Sequence, residues 1–242
     1  MRIRNFASVD TERLSLYLSQ LRKDGSLFKK AEFKVGFGLG PVSIDISRRH
    51  SGDKNVEKDI DDLVRLLEKN HSLIRRRPNS YNEIYFSGDI FILEENIVAT
   101  KLLLPAKNSK FPQLTHLTLW ISMPRQSKKM ERWEADGSVL FLIESFWEDS
   151  SYHGMISGCS ALQWIVRASQ PDQPDLANAY GKSNRAFPIQ KLITLGAIDQ
   201  GKRSISTLYR KRYMSNEEFF ERDGDLIRCY DVVGYPIYVE LH

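Results

Sequence analysis

Residues 84–104 read IYFSGDIFILEENIVATKLLL, and this stretch sets the predicted fold class. Residues 84–93 are rich in aromatic and β-branched side chains, which favour strands, and Ser87-Gly88-Asp89 within them is typical of a β-bulge. Glu94-Glu95-Asn96 indicates a turn, and residues 97–104 form the returning strand, which ends at Pro105. The stretch therefore predicts two paired strands.

Two further strands follow. Residues 114–122 alternate apolar and polar side chains, and residues 139–147 are strongly apolar, with the polar segment 123–137 between them as a long loop. Four strands in sequence predict an antiparallel meander. Strands that come in runs, instead of alternating with helices, favour the α+β class.

Two amphipathic helices precede the meander. The first follows the N-cap residues Ser8 and Asp10, and Gly25 is suited to its C-terminal end. The second carries apolar side chains at i, i+4, i+7, i+8 and i+11, the spacing of one helix face. This apolar stripe consists of Val56, Ile60, Leu63, Val64 and Leu67.

The part of the chain after the meander combines helices and strands. Residues 158–169 have helical periodicity, and Pro188 begins a second helix that Gly196 ends. Residues 215–218 form a capping box that predicts a short third helix. Residues 227–241 form a last strand, interrupted by Gly234 and Pro236.

These elements predict the overall fold. We expect a single α+β domain over residues 1–242, with an antiparallel or mixed β-sheet (meander) flanked by helices. Residues 170–175 read QPDQPD, the most linker-like stretch of the chain. A boundary between two parts of the domain near these residues is the alternative to an undivided domain.

Composition excludes several classes of protein. The chain has 242 residues, of which 41% are hydrophobic and 27% charged, so it can bury a large core without disulfides. The net charge of +4 is too small to indicate nucleic acid or an anionic membrane as a partner. The N-terminus has no apolar leader, and Cys159 and Cys229 lie far apart. We therefore expect reduced thiols, a cytoplasmic location and no membrane span.

The first candidate site is the glycine-rich segment 33–46, FKVGFGLGPVSIDI. Gly36, Gly38 and Gly40 stand between alternating apolar residues, where glycine weakens a strand unless another group approaches the backbone closely. The segment continues from Pro41 as a strand, so it lacks the helix of a dinucleotide-binding fingerprint. We predict a ligand-binding surface on these glycines.

The second candidate site is the connection between the strand 139–147 and the next helix. Polar sites commonly form at such positions, and backbone N–H groups at a helix start can hold an anion. Cys159 with His153 as its base is a catalytic alternative, and simple helix capping is a structural one. The candidate ligand-binding residues are Ser151, His153, Ser157, Gly158, Cys159 and Ser160.

The sequence contains no motif for a metal or a cofactor. The five histidines show no metal-ligand spacing, and both a Cys-x-x-Cys pair and a phosphate-binding loop are absent. We therefore predict no metal and no cofactor. Asp59, Asp61 and Asp62 are assigned to a solvated helix face. Glu144 lies inside an apolar strand, and alternation is expected to turn it outward, since a buried carboxylate needs a partner.

Two further surfaces are candidates for partners. Trp133 stands in an otherwise polar loop, where it anchors the loop or contacts a protein. A helix at 188–195 followed by the basic strand 204–213 suggests a DNA-binding helix and wing. However, residues 185–242 contain nine Lys or Arg against eight Asp or Glu, and phosphate-binding modules have a larger excess.

The leading functional hypothesis is a non-catalytic ligand- or protein-binding module, acting as a sensor or adaptor. It is reached by exclusion, because core patterning is good and no catalytic constellation is present. The partner is a small-molecule ligand or another protein. The first alternative is an enzyme acting on a nucleotide-like or phosphorylated small molecule. The second is nucleic-acid binding through the C-terminal basic segment. The ligand and the oligomeric state stay open.

Overall fold

The computed structural model describes residues 4–24, 54–77, 90–107, 115–123, 138–144, 160–173, 175, 187–215, 218–222 and 225–242. Within them, the strands are β1 (Asn5–Val9), β2 (Leu73–Arg75), β3 (Phe91–Pro105), β4 (His116–Ser122), β5 (Ser138–Ile143), β6 (Ile198–Met214), β7 (Glu218–Arg222) and β8 (Asp225–Leu241). The helices are α1 (Thr11–Asp24), α2 (Lys54–Lys69), α3 (Ala161–Ser169) and α4 (Pro188–Thr194).

Five of the strands close into a barrel. β3 pairs antiparallel with β4, and β4 with β5. β5 pairs in parallel with β8, β8 pairs antiparallel with β6, and β6 pairs antiparallel with β3. β2 adds to the edge of β3, whereas β1 and β7 add to β8. The prediction of a mixed α+β fold is confirmed, but the sheet is a barrel and not a meander, because the parallel β5–β8 pair closes it.

The predicted pair of strands within residues 84–104 is wrong. Residues from Phe91 to Pro105 form one continuous strand, both halves of which pair with β6. The register shifts between Glu94 and Ile97, and Asn96 has φ 54°. Asn tolerates this left-handed conformation better than most residues. The polar triplet is therefore a bulge within a long strand and not a turn.

The predicted capping box at residues 215–218 is also wrong, because Glu218 begins β7. The Ser215 hydroxyl accepts a hydrogen bond from the Asp231 N–H at 2.8 Å, and the Ser215 N–H donates to the Asp231 carbonyl at 3.0 Å. Glu218 pairs with Cys229 of β8. Antiparallel pairing with the next strand, β8, thus outweighs the helix signal of the capping box.

The other helix predictions are confirmed. α1 begins after Asp10, whose carboxylate accepts from the Arg13 N–H at 2.9 Å, and α2 covers the predicted apolar stripe. Pro188 is the first residue of α4, and Gly196 has φ 90° after its end. No helix in the described part of the chain has the length and apolar composition that a bilayer crossing requires.

The two faces of the barrel strands bury different cores. One face packs against α1 and α2 near one end and against α3 and α4 near the other, so this face is the outside. The opposite face forms a cluster to which all five barrel strands contribute and no described helix does. We call it the interior cluster. Its members are Ile90, Ile92, Ala99, Trp120, Leu140, Leu142, Ile205, Tyr209, Tyr230, Val232 and Val239.

Candidate functional site

Of the predicted site residues, the structure describes Ser160 alone. It is the N-cap of α3, it is fully buried, and its hydroxyl accepts a hydrogen bond from the Gln163 N–H at 3.1 Å. The structural role that capping predicts is therefore present at this residue. The other predicted site residues lie outside the described residues: Gly36, Gly38, Gly40, Trp133, Ser151, His153, Ser157, Gly158 and Cys159.

The start of α3 already faces a carboxylate of the protein itself. Asp231 is 3% exposed, and its Oδ2 accepts from the Ala161 N–H at 2.9 Å. A carboxylate at this position is favoured by the orphan N–H groups and the dipole of the helix. The N–H of Ala161 is thus engaged within the protein.

Ser160→Ala is expected to lower the free energy of unfolding by about 1 kcal/mol, because the Gln163 N–H loses its acceptor at a buried helix start. Urea unfolding followed by circular dichroism measures the change. Ser19→Ala is the control, since the Ser19 hydroxyl bonds the Leu16 carbonyl on an exposed helix face. That control is expected to stay within about 0.5 kcal/mol of the unmodified protein. Equal losses in the two variants would contradict a capping role for Ser160.

Cys229 is a buried thiol that lies against the outer, helix-covered side of the barrel. Burial, followed by the charge of Asp231, raises its pKa to about 12. The thiolate is the reactive form of cysteine, so Cys229 is unreactive at neutral pH.

One end of the barrel interior is closed by a buried ion pair. The Arg77 Nε lies 2.6 Å from Oε1 of Glu94, whose side chain is 3% exposed. The Arg77 guanidinium also donates to the Ser138 carbonyl at 3.0 Å and lies 3.4 Å from the Ser122 hydroxyl. Arg77 thereby joins β3, β4 and β5 at their common end.

Tyr209 completes this closed end. Its hydroxyl donates to Glu94 at 2.7 Å. Burial raises the pKa of Tyr209 well above its ordinary value, and the charge of Glu94 raises it further. The phenol therefore stays protonated and acts as a hydrogen-bond donor. Arg77, Glu94 and Tyr209 are thus bonded to one another inside the protein, which supports a structural role for this end.

At the opposite end of the interior, the described side chains are less deeply buried. On β3, the inward-facing side chain of Ala99 is buried, whereas those of Lys101 and Leu103 are half-buried. On β4, Trp120 is buried and Thr118 is half-buried. The register places Lys101 opposite Trp120 and Leu103 opposite Thr118. We call this region the open end.

Trp120 and Glu144 form the base of the open end. The Trp120 indole N–H donates to Oε1 of Glu144 at 2.6 Å, and the Ser8 hydroxyl donates to the same oxygen at 2.7 Å. Glu144 follows β5 directly, and its N–H donates to the Thr118 carbonyl at 3.0 Å. The prediction that alternation turns Glu144 outward is therefore wrong, because its partners lie at the interior.

Lys101 lies over this base. Its Nζ is 5.3 Å from the centroid of the Trp120 ring, within the range of a cation–π contact. Within the described residues, no carboxylate lies within 4 Å of Lys101, and Oε2 of Glu144 receives no hydrogen bond. The open end thus holds one cation and one carboxylate, and both residues are half-buried.

Sequence reasoning missed Lys101 because a single lysine in an apolar strand has no distinctive spacing. Glu144 was visible as a carboxylate within an apolar run, but its partners Ser8 and Trp120 are distant in sequence. In the described ranges, no group of three His, Cys, Asp or Glu side chains is arranged to hold a metal ion.

Arg77 does not share an exposed surface with the basic residues of the C-terminal part. Arg77 is buried in the barrel, and Arg75 pairs with Glu68 on the surface. Arg210 donates to the Tyr17 hydroxyl at 3.1 Å. The segment that the sequence suggests as a wing belongs to β6, which is a barrel strand paired with β3 and β8.

The outer face of the barrel gives a further observation on nucleic acid. Five-stranded OB-type barrels bind oligonucleotides across the face of their second and third strands. In this barrel those strands in sequence are β4 and β5, and their outward side chains are apolar and packed against α3 and α4.

The chain matches no protein-family model, no curated protein and no solved structure.

Proposed function

We propose that this protein is a non-catalytic ligand-binding module that takes up a small molecule across the open end of the barrel. The observation that carries the proposal is Lys101, a half-buried cation that lies over Trp120 without a carboxylate partner in the described residues. Buried or half-buried charges are normally paired, because burial removes hydration. An anionic group of a ligand would supply the missing partner.

The geometry of the barrel sets where the ligand lies. About eight strands are needed for an interior that side chains just fill, and five strands enclose less space. The interior cluster fills that space with Trp120, Leu140, Leu142 and other apolar side chains. The ligand therefore lies over the mouth and does not enter the barrel. Barrel mouths are among the usual places for small-molecule sites.

The polar groups at the open end support binding more than catalysis. Glu144 accepts two hydrogen bonds on one oxygen, from Trp120 and from Ser8, and both hold it in place. A carboxylate fixed in this way orients a ligand. Such prepositioned side chains lower the entropy cost of binding.

The test is a thermal-shift screen of the full chain with inorganic phosphate, dicarboxylates, α-amino acids and nucleotides. A ligand at about 100 times its Kd stabilises the folded state by about 2.7 kcal/mol, which is roughly 5–10 °C in Tm for a chain of this size. We expect at least one compound to produce such a shift, and Lys101→Met to abolish it.

The control is Lys202→Met. Lys202 is exposed and lies on β6 opposite Thr100, next to Lys101 in the sheet but on its other face. We expect this variant to keep the full shift. A shift that persists in Lys101→Met, or no shift with any of the compounds at 10 mM (a concentration of about 100 times a Kd of 0.1 mM), would overturn the proposal.

A further inference from the structure

We infer that the ligand is a zwitterion of the α-amino acid type, with its carboxylate on Lys101 and its ammonium on Glu144. The inference rests on the proposed function and names the chemical class of its ligand. It is carried by the presence of two opposite charges, Lys101 and Glu144, at the same open end.

The first step is that the two charges contact one indole but not each other. Lys101 lies over the Trp120 ring, whereas Glu144 accepts from the N–H at the edge of the same ring. The two charged groups are more than 4 Å apart, since they form no ion pair. A ligand that bridges the two would carry an anionic group for Lys101 and a cationic group for Glu144.

The second step is that Glu144 disfavours a simple anion. An anion bound to Lys101 would lie close to the Glu144 carboxylate, and like charges in a half-buried site repel each other strongly. A ligand that also carries an ammonium offsets this repulsion, because the ammonium donates a second charge-assisted hydrogen bond to Glu144. Oε2 of Glu144 is the acceptor for it, because both bonds from the described residues go to Oε1.

The third step concerns the size and shape of the ligand. Leu103 and Thr118 lie opposite each other beside the Lys101–Trp120 pair, and both are half-buried. Leu103 offers an apolar contact to an aliphatic side chain, and the Thr118 hydroxyl offers a hydrogen bond. This lining suits a small amino acid with an apolar side chain.

The fourth step separates a primary ammonium from a quaternary one. Quaternary ammonium groups are recognised by the faces of aromatic rings. Here Lys101 occupies a face of Trp120, and the indole N–H already bonds Glu144. The site therefore favours an ammonium that donates hydrogen bonds over a trimethylated one.

The experiment is isothermal titration calorimetry of the full chain with four probes. These are L-leucine, 4-methylpentanoate, 3-methylbutylamine and glycine betaine, which differ in which charge they carry and in methylation of the nitrogen. We expect L-leucine to bind at least tenfold more tightly than each of the other three. The comparison uses the unmodified protein, so it does not depend on how a variant folds.

Two variants assign the charges. Lys101→Met is expected to weaken L-leucine at least tenfold, while 3-methylbutylamine binds as well or better because a like charge is removed. Glu144→Gln keeps an acceptor for Trp120, and it is expected to weaken L-leucine at least tenfold while 4-methylpentanoate binds as well or better.

The outcomes distinguish the inference from the proposed function. If 4-methylpentanoate binds as tightly as L-leucine and Glu144→Gln changes neither, the open end is an anion site, and the zwitterion inference is overturned while the proposed function stands. If neither these probes nor the compounds of the thermal-shift screen bind, both the proposed function and the zwitterion inference are wrong.

Discussion

Arg77→Met is expected to lower the free energy of unfolding by about 3–5 kcal/mol. The variant leaves the Glu94 carboxylate in the barrel interior with the Tyr209 hydroxyl as its remaining donor among the described residues. It also removes the bonds that Arg77 makes to Ser138 and Ser122. Urea unfolding at neutral pH, followed by tryptophan fluorescence, measures the loss.

Arg75→Met is the matched control for Arg77→Met. Arg75 lies two residues earlier and also pairs with a glutamate, Glu68, but both of these side chains are about half exposed. Exposed ion pairs contribute about 0–1 kcal/mol, so this variant is expected to lose little. If the two variants lose the same amount, the Arg77–Glu94 pair is not desolvated and the closed end is wrongly described.

A double variant separates the buried charge from the lost packing. Arg77→Met combined with Glu94→Gln removes both charges and keeps an acceptor for the Tyr209 hydroxyl. We expect it to recover most of the stability, because the penalty of the single variant comes mainly from an unpaired charge. A double variant that is as unstable as the single one would show that packing at this end dominates.

Gly234→Ala is expected to lower the free energy of unfolding by about 1–3 kcal/mol through overpacking. A Cβ atom at Gly234 would lie 2.3 Å from Cδ2 of Tyr209. The ring cannot move aside easily, because Tyr209 is fully buried and its hydroxyl bonds Glu94. Gly234, which interrupts the last strand in the sequence, therefore leaves the space that the Tyr209 ring occupies.

Tyr209→Leu provides the test of this explanation. The variant makes room above residue 234, so the double variant Gly234→Ala/Tyr209→Leu is expected to lose less stability than the sum of the single losses. Contacting residues typically show couplings of about 0.5–3 kcal/mol. Additive losses would contradict a direct clash.

The local parts of the fold could be predicted from the sequence. Apolar spacing identifies α2, and Pro188 and Gly196 mark the ends of α4, because helix signals act over neighbouring residues. The long strand β3 was divided at Glu94–Asn96, since a bulge and a turn use the same residue types. Whether such a triplet bends or reverses the chain depends on β6, about 100 residues later.

The closed sheet and the open end could not be predicted in this way. The barrel depends on the pairing of Ser138 with Tyr230, and no local pattern indicates a partner so far along the chain. Arg77 belongs to a basic triplet, and nothing near it in sequence indicates that its side chain pairs with Glu94 in the barrel interior. Alternation alone cannot say which face of a strand is interior, and Glu144 was placed on the wrong side for that reason.

The position of β8 has a consequence for biosynthesis. This strand pairs with β1, β5, β6 and β7, and it is the last of the described elements to leave the ribosome. Two of its partners, β1 and β5, are made long before it, so the edge of β5 stays unpaired until β8 is synthesised. Such high contact order makes folding slow, and a nascent chain with this edge uncovered is a natural client for chaperones.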